Sequence, residues 1–465
     1  MPAFLLNQTQ YVDDLNEAQA LLDFLRTEQG LTGTRQACRE GDCGACLVLS
    51  GQCIKGIMRY QAVNSCLLPL GLVQGRHIVS IEGLNAEILS PVQQALVDQG
   101  AIQCGFCTSG IVIAITAFLI NTDTSSMAFA IDALAGNLCR CTGYAGIQRA
   151  LKQLCQSIDL SQSRPETRIN DLICCGVLPD YFSSIATRLT AQSEYVRSSV
   201  KRAVMVAGGT DLFVQQAEQL MGQPLAFIKQ AERIVVEQKQ CMISAMTRIE
   251  TIRQSEVLHA LFPHIADDFK LICSSAIRQQ ATLGGNLVNA SPIGDLSVFF
   301  LALDAELTLR SATHQRQIAL RQFFQTYKRV DLQDGELLSE VSFYCSETPM
   351  RLSFEKVSKR RHLDIASVNS AMSLNLQGNK IQAIHISVGG VAATPLYLQK
   401  TCAFLQGGRI ESAKLKQALE LAQTEISPLS DIRGSAEYKC LLLSRLLIAH
   451  WLKLLPEYVS WEDFQ

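Results

Sequence analysis

The chain has 465 residues, 48% of them hydrophobic, and a formal net charge of −2 at neutral pH. That length holds about three domains, and the near-neutral balance leaves no basic stripe for a nucleic-acid partner. The opening stretch MPAFLLNQTQ has no positive n-region and no apolar h-region, so a signal peptide is not expected. A cytoplasmic location follows as an expectation, with the 17 cysteines reduced rather than paired as disulfides. The longest apolar run, GIVIAITAFLI at 110–120, is too short to span a bilayer. Arg445 and Lys453 break the later run CLLLSRLLIAHWLKLL at an amphipathic spacing, so no membrane partner is expected.

Residues 13–30 place Leu15, Ala18, Leu21, Leu22 and Leu25 at helical spacing, with Gly30 as the stop. Short apolar runs around this segment (AFLL, CLVL, HIVSI) predict a small α+β domain over 1–83. A second domain, 84–157, opens with Ser90 as N-cap and Pro91 in the first turn, and Gly100 ends that helix. Further helices are predicted at 108–120, 126–135 and 144–156. Four short helices enclose a meagre core that a metal staple would help. The stretch DLSQSRPETRIND at 159–171 is polar and aperiodic, so residues 158–180 read as a linker. Beyond it, strand-like runs alternate with helical ones in an α/β or α+β region that divides near residue 345. No repeat of fixed period is visible.

Cysteine spacing carries the chemistry. Cys38, Cys43 and Cys46 form C-x4-C-x2-C, the plant-type [2Fe–2S] spacing, which requires one more cysteine downstream. Gly41 and Gly44 let the loop curl so that backbone N–H groups point at sulfur. Zinc ribbons favour paired C-x2-C knuckles instead. Chemistry alone leaves Cys53 (in SGQC) and Cys66 (in VNSCLLPL) equally placed as the fourth ligand. A second set is Cys104 and Cys107 in QCGFCTSG with Cys139 and Cys141 in GNLCRCTGY, each pair leading into a predicted helix. Helix N-termini favour thiolates and an anionic cluster. The alternative is a structural zinc held by four cysteines in a non-redox assembly module.

Together, CREGDCGAC, VNSCLLPL, QCGFCTSG and GNLCRCTGY resemble the iron–sulfur part of the xanthine dehydrogenase (molybdenum hydroxylase) family. The resemblance implies a β-grasp ferredoxin-like domain followed by a four-helix [2Fe–2S]-binding domain. It assigns the fourth ligand of the first cluster to Cys66 and gives Cys53 no role. Ser109 departs from the proline usual in the family, with only a slightly altered helix start expected.

Two glycine pairs lie downstream, in AVMVAGGTDL (203–212) and ATLGGNLVNASPIGD (281–295). Neither is a P-loop or a G-x-G-x-x-G fingerprint; either, alone, is an ordinary tight turn, or lets backbone N–H groups approach a pyrophosphate. Both resemble the FAD-binding domain of the same family, an α+β fold of the vanillyl-alcohol-oxidase/CO-dehydrogenase-flavoprotein type expected over 181–345. A C-terminal α+β domain follows at 346–465, with RGSAEYK as a further signature. The resemblance implies FAD contacts from Val206, Ala207, Gly208, Gly209, Thr210, Asp211 and Leu212. It adds Thr282, Leu283, Gly284, Gly285, Asn286 and Asp295, with Ile272, Leu337 and Lys356 lining the site. By itself Lys356 reads as a surface salt bridge.

The resemblance implies an electron-relay subunit with two [2Fe–2S] clusters and FAD, and with no catalytic acid–base set of its own. No stretch is left for a molybdenum–pterin domain, so a separate large subunit is expected to bring molybdopterin. NAD⁺ is the expected acceptor, with oxygen as the alternative, and an α2β2 heterotetramer the expected assembly. Hypoxanthine and xanthine are the expected substrates of the complex; aldehydes or N-heterocycles would use the same relay.

Overall fold

The computed structural model describes residues 3–12, 15–122, 126–190, 203–346, 349–360 and 363–465. It divides into two compact units, Met1–Ile228 with Ser274–Gln280, and Lys229–Cys273 with Ala281–Gln465.

The first unit begins with a mixed sheet of β1 (Ala3–Leu6), β2 (Thr9–Val12), β3 (Leu47–Ile54), β4 (Ile57–Asn64) and β5 (His77–Val79), in the order β2-β1-β5-β3-β4. β1 and β5 run parallel and the other neighbours antiparallel. This is the β-grasp arrangement of ferredoxin-like domains. Helix α1 (Leu21–Asp23) continues as a wider π turn over Phe24–Glu28 and buries Leu21, Phe24 and Leu25 against Phe4, Val48, Val63 and Ile78. The helix expected over 13–30 is therefore shorter. Asn16 accepts from the Ala18 backbone N–H at 3.0 Å, and this local turn competes with a helical start. Residues 13 and 14 lie outside the described residues. Gly30 ends the segment with φ +66°.

Helices α2 (Pro91–Asp98), α3 (Thr108–Asn121), α4 (Met127–Ala133) and α5 (Ala145–Ser157) follow. Ser90 and Gln93 form a reciprocal capping box at the start of α2. Helix α3 is buried nearly all round, from Gly110 to Ile120. An all-round apolar helix needs partners on every side; α3 packs on β3 and β4 as well as on α2 and α4. Leu47, Leu49 and Tyr60 of the sheet thus share one core with Ile111, Ile113 and Ile115.

The stretch expected to be a linker is packed instead. Residues Arg168–Cys174 form a helix. Arg168 is buried and donates to the carbonyls of Leu119 and Thr122, capping the end of α3. Composition alone made the segment look solvated, because Arg168, besides its local bonds to Ser163, reaches carbonyls far back in the sequence. The first unit then closes with a parallel pair, Val204–Val206 and Leu225–Phe227, joined through the helix Thr210–Leu220.

Among the described residues the second unit holds two larger antiparallel sheets besides the short pair Phe324–Thr326 with Arg329–Val330. One has five strands, in the order Gln315–Ala319, Glu306–Arg310, Leu337–Tyr344, Gln240–Ser244, Ile234–Glu237. The other has four, Arg351–Val357, Val368–Gln377, Lys380–Gly389 and Leu396–Tyr397. The helix Ala436–Leu454 packs on this second sheet with Leu443, Leu447 and Trp451 inward. Among the described residues no helix is long and apolar enough to cross a membrane.

Candidate functional site

The loop before β3 presents Cys38, Cys43 and Cys46. It turns through Gly41 at φ +78° and Gly44 at φ +67°, conformations that L side chains rarely adopt. The register of the β3–β4 hairpin sets Leu47 opposite Asn64, so the turn Ser65–Leu67 arrives beside Cys46. Ser65 fastens it there, donating to the Cys46 carbonyl from its backbone N–H (3.2 Å) and its hydroxyl (2.7 Å). The sulfurs form two close pairs, Cys38 with Cys43 at 3.3 Å and Cys46 with Cys66 at 3.3 Å. Cys53 is at the other end of the hairpin, opposite Met58.

The second set repeats this two-plus-two pattern. The sulfurs of Cys104 and Cys141 are 3.5 Å apart, and Cys107 hydrogen-bonds Cys139. Cys107 and Cys139 are buried, whereas Cys104 and Cys141 are exposed. Two thiolates on one tetrahedral metal at ~2.3 Å lie about 3.8 Å apart. Two such pairs suit a cluster with two ligands on each of two irons. Among the described residues no three of these groups converge on a point that would hold a mononuclear ion.

Each pair is asymmetric in its protons. Cys38 is pushed down to about 5, chiefly by the hydrogen bond from Cys43, whose own thiol is driven up by the same bond. The Cys66 S–H likewise lowers Cys46 and is itself raised. Backbone N–H of Phe106 lowers Cys104, and Cys141 rises against it. Burial pushes Cys107 up to about 12, while for Cys139 burial is outweighed by hydrogen bonds around Thr142. One thiol of every pair is thus shifted toward the thiolate, which is the form that binds metal.

The two sets are joined directly. Leu138, next to Cys139, donates its backbone N–H to the Cys43 carbonyl at 3.0 Å, and Asn137 donates to the Gly44 carbonyl at 3.3 Å. Helix α3 reaches the same loop: a Cβ on Gly110 would stand 2.0 Å from the Gly44 oxygen. A segment that sequence reasoning missed, Ser274–Gln280, also covers this region. A Cβ on Gly41 would meet the Ile277 Cδ1 at 2.5 Å, and one on Gly136 would meet the Ser274 Cβ at 3.1 Å. Nothing in its composition marks the segment; a distant stretch of chain brings it here.

The first glycine pair lies where strand Val204–Val206 passes into helix Thr210–Leu220. Gly209 is the N-cap with φ +76°, Asp211 sits in the first turn, and Leu212 is half-buried. Free backbone N–H groups at such a strand-to-helix junction suit an anion. The second pair differs from the tight turn expected. Gly284 and Gly285 belong to the first turn of a short helix, Leu283–Val288, which Thr282 caps by accepting from the Gly285 N–H at 3.1 Å. Gly284 is required by proximity rather than by φ, since a Cβ would lie 3.0 Å from the Ala245 oxygen. The buried Oδ1 of Asn286 has no hydrogen-bond partner among the described residues.

Lys356 is buried, in contrast to the surface pair that its sequence context alone suggested. Its ammonium donates to Asp295 Oδ2 at 2.7 Å and to the Leu271 carbonyl at 2.8 Å. Asn369 donates to the other Asp295 oxygen at 2.6 Å. Ile272, following Leu271, is buried, and Leu337 starts its strand half-buried.

Four family models match in the order of these elements. They are a 2Fe-2S iron-sulfur cluster binding domain over residues 4–70, a [2Fe-2S] binding domain over 80–152, an FAD binding domain in molybdopterin dehydrogenase over 183–343, and a CO dehydrogenase flavoprotein C-terminal domain over 353–454. In this order the chain resembles the iron–sulfur and flavin part of a molybdenum hydroxylase. Among molybdenum hydroxylases it is 29% identical to xanthine dehydrogenase 1 of Arabidopsis thaliana, over 89% of this chain and 36% of that protein. It is 25% identical to human aldehyde oxidase, over 97% of this chain and 39% of that one. The chain therefore spans about a third of the length of these curated relatives. A reconstituted CO dehydrogenase from Oligotropha carboxidovorans shares 26% identity with a TM-score of 0.51, covering 56% of this chain and 91% of that one. The chain thus carries two [2Fe–2S]-binding domains and an FAD-binding domain.

Proposed function

We propose that this chain is the electron-transfer subunit of a xanthine dehydrogenase. In this reading Cys38, Cys43, Cys46 and Cys66 hold one cluster, and Cys104, Cys107, Cys139 and Cys141 hold the other. Val206–Leu212, Thr282–Asn286, Ile272, Asp295, Leu337 and Lys356 serve FAD. The observation that carries the relay is the Leu138–Cys43 hydrogen bond, which sets ligand loops of both clusters against one another. The thiol pairs fit two-iron clusters, and the unpaired Asn286 oxygen offers an acceptor to a ligand hydroxyl or N–H. Bound there, the clusters supply one-electron transfer and FAD converts it to two-electron hydride chemistry.

A partner subunit holding molybdopterin completes the enzyme, NAD⁺ accepts the electrons, and the complex is a cytoplasmic α2β2 heterotetramer. The role of the chain's own residues is then to hold thiolates, bind anionic phosphate and exclude water. The test is to co-purify the partner and assay hypoxanthine and xanthine against aldehydes with NAD⁺. Oxidation of the purines to urate is the expected result; turnover of aldehydes alone overturns the purine assignment. That second reading, an aldehyde-oxidising hydroxylase, is favoured by the match to human aldehyde oxidase at similar identity.

A further inference from the structure

Gln280 ends the short segment that joins the first unit from a distant part of the chain. Its side chain is buried, at 9% exposure. The amide nitrogen donates to the Leu67 carbonyl at 2.8 Å and to the Gly208 carbonyl at 2.8 Å. Leu67 follows Cys66 in the ligand turn, and Gly208 opens the glycine turn before helix Thr210–Leu220. A primary amide has two N–H donors. Both are committed here, each to the main chain of a different segment, so one planar group fixes the spacing between them. The Oε1 of the same amide is buried without a partner among the described residues. An unmatched buried acceptor is destabilising, and an apolar side chain of similar size would avoid that loss. Packing alone is therefore a poor account of a glutamine at this position.

We propose that Gln280 is a positioning residue that sets the separation between the Cys66 ligand turn and the glycine turn, and with it the gap between the first cluster and the flavin. The inference rests on the relay reading above. In the transfer it governs, one electron leaves the reduced cluster and enters the flavin, and no bond to the protein forms or breaks.

The test uses the full chain with clusters and FAD in place, mixed anaerobically with limiting dithionite, following cluster and flavin absorbance. Gln280→Met is expected to keep its iron and flavin content but to slow cluster-to-flavin transfer several-fold, since the rate of electron tunnelling falls steeply as the gap between two redox groups widens. The magnetic interaction between reduced cluster and flavin, read by EPR, should change with it. Gln280→Glu supplies a second readout. Its carboxyl donates to one carbonyl when protonated and repels both when ionised. Transfer in that variant should slow as pH rises through the carboxyl titration, while the wild type stays flat. If Gln280→Met fails to fold, the pH profile of Gln280→Glu carries the test. Wild-type rates and spectra in both variants overturn the inference alone. A wild-type chain that passes no electrons from cluster to flavin overturns the relay reading and the inference together.

Discussion

Cys53 and Cys66 occupy opposite ends of one hairpin, a difference that spacing does not carry. Cys53 faces Met58 near the turn, while Cys66 lies in the turn Ser65–Leu67 just past the end of β4 and meets Cys46. Cys66→Ser is therefore expected to lose the first cluster, and Cys53→Ser to leave iron content unchanged. Iron analysis and EPR of the reduced protein check both, and normal iron in Cys66→Ser would sink the assignment. The seven other ligand candidates and their neighbours divide by how far along the chain their partners lie. Cys38, Cys43 and Cys46 were legible as candidates because three cysteines of one loop are local in sequence. Gln280 and Ile277 were illegible because a buried amide and a buried isoleucine look like any others until the chain brings them to the site.

At the scale of elements, helix α3 is the hinge between the cysteine sets. Cys107 is its N-cap, and Gly110 brings its first turn against the Gly44 carbonyl. Gly110→Ala puts a methyl where backbone oxygen already stands, and neither helix nor loop is a flexible side-chain end. A loss of about 1–3 kcal/mol in stability is expected, the range for forcing extra atoms into a packed interior. Thermal unfolding measures it, and EPR spectra of both clusters should shift because both loops touch this contact. A variant with wild-type melting and spectra rules the contact out as a constraint. Existence of α2 to α5 was legible from caps and periodicity. The shorter α1 was not, since the Asn16 side-chain bond that delays it competes with helix by a local choice that hydrophobic spacing does not register.

At the scale of the whole molecule, stability depends on histidines that fold neutral. His77 donates from Nε2 to the Asn7 carbonyl at 2.8 Å and accepts at Nδ1 from the Tyr60 hydroxyl at 2.7 Å, enclosed by Tyr181 and Phe182. Burial pushes it down to about 4 from 6.5, and the nearby Arg188 acts in the same direction. Burial likewise brings His450 of the second unit down to about 3. Because the folded value lies below the unfolded one, the unfolded state takes up the proton first. The stability present above pH 6.5 is then lost as pH falls toward 4, about 3 kcal/mol for His77 alone. Urea unfolding across that range should show the decline, and His77→Gln should flatten part of it. An unchanged midpoint between pH 7 and 4 in the wild type contradicts this account.

Local spacing in the chain was enough to mark which cysteines are clustered and where glycine turns the chain, while the order of an iron–sulfur part before a flavin part came from the resemblance of its motifs. These features depend on short spacings, and a tight loop around a cluster is a local object. Tertiary structure decided what lies far apart along the chain. It selected Cys66 rather than Cys53 as the neighbour of Cys46, packed the expected linker through Arg168, buried Lys356 against Asp295, and laid residues 274–280 over the first cluster loop. The physical reason is common to all four. A buried polar group must find its partner wherever the fold places one, and that partner leaves no mark on the sequence around it.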